Sequence, residues 1–275
     1  MFKNISLLFL KYFNINIKQQ MKLLNFFQTI AIMLFLFLSI CLFVSCSSDD
    51  NKDDTLKMYV PSKMILAYGS DDQSELNIRY DSQWRITSMI FSDKEGSKSL
   101  TFEYDVQGRW TKLTEIYEDG IPNIYTYTHK ADSVMEDDGH TTQGWAIDEN
   151  YLADSVSYNN GKNITIFEYD NNKRLVKESY KSDSYSYLNS FSYDNNIGIS
   201  KYVNMTMWQA ICLHSIDDIY DFLLFKENNI NKVIESETTK NIMYELNNNG
   251  YPTRMSFKNS SDETITWDFE YTEVK

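Results

Sequence analysis

Hydrophobic and polar positions alternate along most of the chain beyond residue 57. Leu100, Phe102 and Tyr104 share one side of an extended segment, and Thr101, Glu103 and Asp105 share the other. Ile265, Trp267, Phe269 and Tyr271 repeat the pattern, as do Ile242, Tyr244 and Leu246. A period of two over this length predicts strands with one buried face. Steps of Asp-x-x-Gly or Asp-Asn-Asn follow several of them, and these residues supply turns. Past each turn the apolar spacing becomes three, as in Ile86/Met89, Trp110/Leu113 and Pro252/Met255. A period of two cannot put both members of such a pair on one face, so a bulge is expected just after the turn.

The approach, turn and exit recur as a unit. LNIRYDSQWRITSM (76–89), LTFEYDVQGRWTKL (100–113), TIFEYDNNKRLVKE (165–178) and YELNNNGYPTRM (244–255) are the clearest copies. Weaker copies lie at 124–134, 147–156, 189–200 and 224–233, which makes eight units, and ITWDFEYTEV (265–274) is an approach without an exit. Eight hairpins in series predict an all-β fold: a long, curled antiparallel meander, closing toward a half-barrel or a two-layer sandwich. Asp81/Arg85, Asp105/Arg109 and Asp170/Arg174 flank turns and read as exposed ion pairs worth about 0–1 kcal/mol each.

These units resemble the YD (Rhs-type) repeat, Tyr-Asp-x-x-Gly-Arg-Leu, which Tyr104, Asp105, Gly108 and Arg109 match. With the Gly250 to Thr253 turn and an apolar insert before the last units, the chain is similar to a Bacteroidota lipoprotein family classed as a domain of unknown function. The resemblance implies a β-repeat fold and an envelope location, and carries no catalytic residues.

One stretch breaks the alternation. In NMTMWQAICLHSIDDIYDFLLF (204–225), Trp208, Ile211, Cys212, Ile216, Ile219 and Leu223 follow steps of three and four. That is helical spacing, with Asp217, Asp218 and Asp221 mostly on the opposite side. One helix near 205–224 is expected to cover the apolar face of the meander.

The start of the chain is read separately. An apolar run, Phe26 to Ser45, follows Lys22 and ends at Cys46, and SSDDNKDD follows that. Basic start, apolar core, small residue and cysteine resemble a lipoprotein export signal. Residues 1–45 are thus expected to be a signal peptide, with 1–20 an upstream extension ahead of a more natural start at Met21. Phe43 stands where such signals usually carry Leu. An uncleaved anchor is the alternative, since about 20 apolar residues span a bilayer. Cys46 is the expected lipid attachment site, 46–57 an acidic tether, and 58–275 a single β domain. The membrane is thus the expected partner, through the lipid, and the outer membrane the expected location, on its periplasmic or surface face.

Charge narrows the ligand classes. The chain has 26 Lys+Arg and 39 Asp+Glu, a formal charge of −13. The four lysines before Cys46 face no acidic residue there, so the part beyond it carries −17. Nucleic acid is an unsuitable partner for such a surface. Cys46 and Cys212 give no disulfide framework. His129, His140 and His214 fall in no metal-binding spacing, no catalytic motif appears, and neither metal nor cofactor is expected. Cys212 reads as buried filler. Trp84 and Trp145, near turns, are the candidate ligand-binding aromatics. The leading expectation is a non-enzymatic binding or structural lipoprotein for a glycan or protein ligand. The alternatives are an enzyme with scattered acidic residues inside the curl, and an apolar-ligand carrier.

Overall fold

A computed structural model describes residues 57–68, 72–158, 161–236 and 238–274. The leader, Cys46 and all of the tether but Lys57 lie outside the described residues. Residues 56–275 form one compact unit.

The strands run in chain order: β1 (Tyr59–Tyr68), β2 (Asp72–Tyr80), β3 (Ile86–Ser92), β4 (Ser97–Tyr104), β5 (Trp110–Ile116), β6 (Pro122–His129), β7 (Ser133–Asp137), β8 (Thr142–Ile147) and β9 (Ala153–Tyr158). β10 (Asn163–Tyr169), β11 (Leu175–Lys181) and β12 (Ser186–Tyr193) lead to the insert. β13 (Ile230–Glu235), β14 (Thr238–Asn241), β15 (Met243–Leu246), β16 (Pro252–Lys258) and β17 (Thr264–Glu273) complete the chain. Each strand pairs antiparallel with its neighbour in sequence, and β17 returns to pair with β1 from Tyr59↔Glu273 to Tyr68↔Ile265. β14 and β15 act as one strand broken at Ile242, whose N–H donates to the Asn231 carbonyl. The first half pairs with β13 and the second with β16. The result is a nearly closed barrel with its one interruption at Ile242, so the curl goes further than a half-barrel.

Among the described residues seven of these units are hairpins and an eighth pair closes the barrel, which differs from the expected eight hairpins in two places. The segments 189–200 and 224–233 are halves of one hairpin, β12 and β13, separated by the insert; Phe225 is buried in that insert and not in a strand. The approach strand at 265–274 does have an exit, supplied by β1 from the other end of the domain.

Most units are built the same way, the β6–β7 hairpin keeping an unbroken register. The ladder shifts register at Arg79/Tyr80, Glu103/Tyr104, Glu168/Tyr169 and Glu245/Leu246, so the expected bulges are present. Asp105 Oδ1 accepts from the backbone N–H groups of Gln107 and Arg109, and Oδ2 accepts from Arg109 Nε at 2.7 Å. Asp81/Arg85 and Asp170/Arg174 repeat this geometry. These pairs are half-buried and are not the exposed ones expected: in each, the aspartate organises its own turn as well as holding the arginine. Neighbouring units are tied by tyrosine hydroxyls. Tyr104 donates to the Ile86 carbonyl, Tyr193 to Leu175, Tyr271 to Pro252 and Tyr80 to Pro61. In the third hairpin His129 takes this place, its Nε2 donating to the Trp110 carbonyl.

Inward positions are apolar and buried, including Leu76, Ile78, Leu100, Phe102, Trp110, Leu113, Val134 and Val156. The insert fills the lumen. It is two helical pieces, not one: α1 (Met207–His214) and a 3-10 helix (Asp218–Leu224). Thr206 and Gln209 form a capping box at the start of α1, and Ser215 caps its end. Asp217 is extended and accepts from the Ile219 N–H, so it starts a new helical segment where a continuous helix would run on. Trp208 stands edge-on to Trp110, Tyr127, His129 and Trp145.

The outer face is charged. Lys112 pairs across strands with Glu103, Lys177 with Glu168 and Arg254 with Asp268. A membrane-spanning barrel needs an apolar outward band about 25 Å tall. On this wall such ion pairs are mixed with exposed apolar residues, among them Ile124, Ile166, Leu188 and Met243, while the inward positions are mostly apolar. No helix among the described residues is long and apolar enough to cross a membrane.

Candidate binding cavities

The Tyr-Asp turns gather at one end of the barrel and the other hairpin turns at the opposite end. α1 enters from the Tyr-Asp end and points His214 toward the far end. There the insert leaves two cavities against the wall. The first, about 560 Å³, is lined by Gln143, Tyr158, Asn163, Thr165, Glu178, Tyr180, Tyr187, Asn189, His214 and Asp218 among others. The second, about 650 Å³, shares Tyr187, Asn189, His214 and Asp218 with it and extends over Phe191, Ile219, Leu224, Val233, Ile242, Phe257 and Trp267. One ridge therefore separates two adjoining spaces, a more polar one and a more apolar one. At their rim stand three tyrosines: Tyr180 and Tyr187 stack at 5.3 Å between centroids, and Tyr185, 62% exposed, lies 6.1 Å from Tyr187.

The ridge is a charged network. His214 Nδ1 lies 2.6 Å from Asp221 Oδ1, and its Nε2 lies 3.6 Å from Glu178 Oε2. Burial alone would lower the pKa of His214, but the two carboxylates outweigh it and raise it well above the ordinary histidine value. Glu178 accepts from Tyr187 and Asn189. Burial works against its charge, yet His214 and these donors keep its pKa below the ordinary glutamate value. The ligand atoms of His214, Asp218 and Asp221 all lie within 4.8 Å of one another, a spacing that could surround a cation. The imidazolium already supplies the positive charge there.

Glu178 belongs to a set that the alternation conceals. Glu115, Glu136 and Glu178 are buried at inward positions, directly opposite the carboxamides of Asn123, Gln143 and Asn189. Glu115 accepts from Tyr117, Asn123 and Tyr125, and its partner Lys98 bridges to Asp217 of the insert. Glu136 accepts from Trp145 Nε1 at 3.2 Å and faces Cys212 Sγ at 3.8 Å. Burial, opposed by those two donors, raises its pKa to about 7. The signal was there to find: Leu113-x-Glu115 and Val134-x-Glu136 set a carboxylate in an apolar register.

The two tryptophans singled out from the sequence do not meet. Trp145 lies in β8, is 1% exposed and is core, so it has no face for a ligand. Trp84 has φ +62 in its turn and packs against Tyr80 at 6.2 Å. Cys212 is buried and free. His140 sits in a tight turn where Asp138 accepts from its N–H.

No family model matches the chain, and no curated protein does. Among solved structures, the chain is similar to a porin-like protein from Bacteroides uniformis, with a TM-score of 0.50 and 18% identity over 77% of this chain and 98% of that one. A porin-like protein from Bacteroides vulgatus matches at a TM-score of 0.40 and 13% identity, over 78% and 99%. The first likeness is one of fold: a meandering antiparallel barrel.

Proposed function

We propose that this protein is a lipid-tethered binding module of the cell envelope that holds a carbohydrate at the far end of its barrel. One observation carries the reading: the stacked Tyr180 and Tyr187 rings border a cavity lined by the planar polar groups of Gln143, Asn163, Glu178 and Asn189, and Tyr185 continues the tyrosine cluster onto the adjoining cavity. Sugars offer both apolar ring faces for stacking and dense hydroxyls for such groups. Volumes of about 560 and 650 Å³ suit a short oligosaccharide. The porin-like description of the similar barrel from Bacteroides uniformis supports an envelope location. The ion pairs on the outer wall, Lys112 with Glu103, Lys177 with Glu168 and Arg254 with Asp268, favour attachment through a lipid at Cys46 over insertion of the barrel itself.

A glycan array followed by calorimetry tests the ligand. Binding that Tyr187→Ala weakens at least tenfold without lowering stability supports the reading, and binding unchanged by this variant overturns it. Palmitate labelling tests the tether, since it should disappear in Cys46→Ala. The apolar wall of the second cavity favours one further reading, a ligand with an acyl portion. Native mass spectrometry of the purified protein would then reveal co-purified lipid.

A further inference from the structure

Glu115, Glu136 and Glu178 are one position of the repeat used three times, so each is a standard for the others. Each is buried, sits inward and faces a carboxamide on the next strand. Two of the three have a cation in reach: Lys98 Nζ lies 4.0 Å from Glu115 Oε1, and His214 Nε2 lies 3.6 Å from Glu178 Oε2. At Glu136 the donors are neutral. Trp145 Nε1 donates to Oε2 at 3.2 Å, Cys212 Sγ faces the same oxygen at 3.8 Å, and Gln143 Nε2 donates to Oε1 at 3.3 Å. A buried carboxylate met only by neutral donors is costly to ionise. Burial accordingly raises its pKa to about 7, where the proton is readily gained and lost.

The titratable groups around it hold their states near neutral pH. Burial raises Tyr125 and Tyr127 of β6, Tyr158 of β9 and Cys212 of α1, Tyr125 to about 12, and all four stay protonated. Asp138, in the turn between β7 and β8, is held below the ordinary aspartate value by the N–H groups of Thr141 and His140 and stays ionised. Within the first far-end cavity Glu178 is held low and His214 high, so their charges also persist. Of this set only Glu136 changes charge around neutrality.

The geometry fixes where the proton goes. An indole N–H only donates, so Trp145 holds Oε2 as an acceptor in both states. The proton is therefore taken up on Oε1, opposite Gln143. An acid O–H and an amide NH₂ are both donors and cannot pair, whereas a half-turn of the amide brings its oxygen to the acid. Gln143 lines the first far-end cavity, and its amide oxygen has no hydrogen bond among the described residues. We infer that Glu136 is a proton-operated positioning residue for that cavity: ionised, it holds the NH₂ of Gln143 and leaves the oxygen for a ligand; protonated, it holds the oxygen and leaves the NH₂. The cavity thus trades an acceptor for a donor at one point of its wall, and selects among sugars by the group they place there. This selection rests on the carbohydrate reading of the cavity; the turning of the amide does not.

The test follows the side-chain amide protons of Gln143 and the indole proton of Trp145 by NMR in the full-length protein, assigned from Gln143→Met and Trp145→Phe. Both groups donate to one carboxylate, so a nuclear Overhauser cross-peak between them is expected at about pH 8.5 and its loss at about pH 5.5. Titration of Glu136 without rotation of the amide would leave it in place. Glu136→Gln keeps an acceptor for Trp145 and offers a donor to Gln143, so it copies the protonated state and should lack the cross-peak at both pH values. On a glycan array the native protein should retain different sugars at the two pH values, with affinities for single glycans changing at least about fivefold, the worth of one hydrogen bond. Glu136→Gln should retain one set at both, and Gln143→Met should show no pH difference. A cross-peak that does not change with pH in the native protein, or that Glu136→Gln still shows, overturns the inference. So does an array pattern that is the same at both pH values, or a pH difference that survives in Glu136→Gln. If the array retains nothing at either pH, the carbohydrate reading fails, and the cross-peak still decides whether the amide turns.

Discussion

Asp194 and Asn229 lie 35 positions apart and close one tight turn. The Asp194 N–H donates to the Asn229 carbonyl at 2.9 Å, and the Asn229 N–H donates to Asp194 Oδ1 at 3.1 Å. Asp194 thus does for β12 and β13 what Asp81 does for β2 and β3, with the whole insert looped out between two hydrogen-bonded residues. The lumen plug is an enlarged repeat turn and not an added domain.

The neck of that loop is tight at Gly198. A Cβ there would lie 2.3 Å from the carbonyl oxygens of both Phe225 and Lys226. Backbone cannot yield as a side-chain tip can. Gly198→Ala should cost about 2–3 kcal/mol, read as a lower urea midpoint with an unchanged slope.

Glu136 should make stability fall with rising pH. Its folded pKa of about 7 lies above the ordinary 4.5, so the folded state prefers the protonated acid. The penalty is absent below about pH 4.5, grows through pH 7, and reaches about 3 kcal/mol above it. Glu136→Gln should therefore gain on the native protein as pH rises across this window. Parallel urea titrations at pH 4.5, 6 and 8 would refute this if the difference stayed flat.

His214 acts with the opposite sign. Its folded pKa is raised, so its contribution is full below its unfolded value near 6.5 and is lost as pH climbs through the higher folded value. His214→Gln strands Glu178 beside Asp221 and should cost about 2–3 kcal/mol at pH 6. The deficit should narrow in alkaline buffer, as thermal melts at both pH values will record.

The inter-repeat ties can be cut singly. Tyr104→Phe removes only the bond to the Ile86 carbonyl and should cost about 1 kcal/mol. Asp105→Ala removes two backbone acceptances and the guanidinium pairing, and should cost about 2 kcal/mol or more. Their ranking by chemical denaturation separates turn organisation from strand-to-strand tying.

Much of this architecture is legible in the sequence, because alternation and the three-residue exit spacing both act locally. The strands around Leu100 and Trp267 and the bulges after the Asp81, Asp105, Asp170 and Asn247 turns follow from them. What escapes is set by distance. Pro61-x-x-Met64 has the same exit spacing as Pro252-x-x-Met255, but its approach strand lies at the other end of the chain. Phe225 looks like a strand residue until the Asp194–Asn229 closure places it in the insert. Trp145 has turn residues close by in sequence, yet Glu136 and Trp208 enclose it from other elements. The far-end site depends on His214, a helical residue whose partners Glu178 and Asp221 come from a strand and a second helical piece.

The pairing of β1 with β17 also bears on the order of events during folding. β1 emerges near the front of the domain and β17 at its end, so the seam cannot form until nearly the whole chain has been made. Every other ladder except that of β12 with β13 joins segments close in sequence and can form as the chain arrives. Until the seam zips, two bare strand edges remain open to unwanted pairing. The last ladder to form is thus the one that makes the molecule safe among its neighbours.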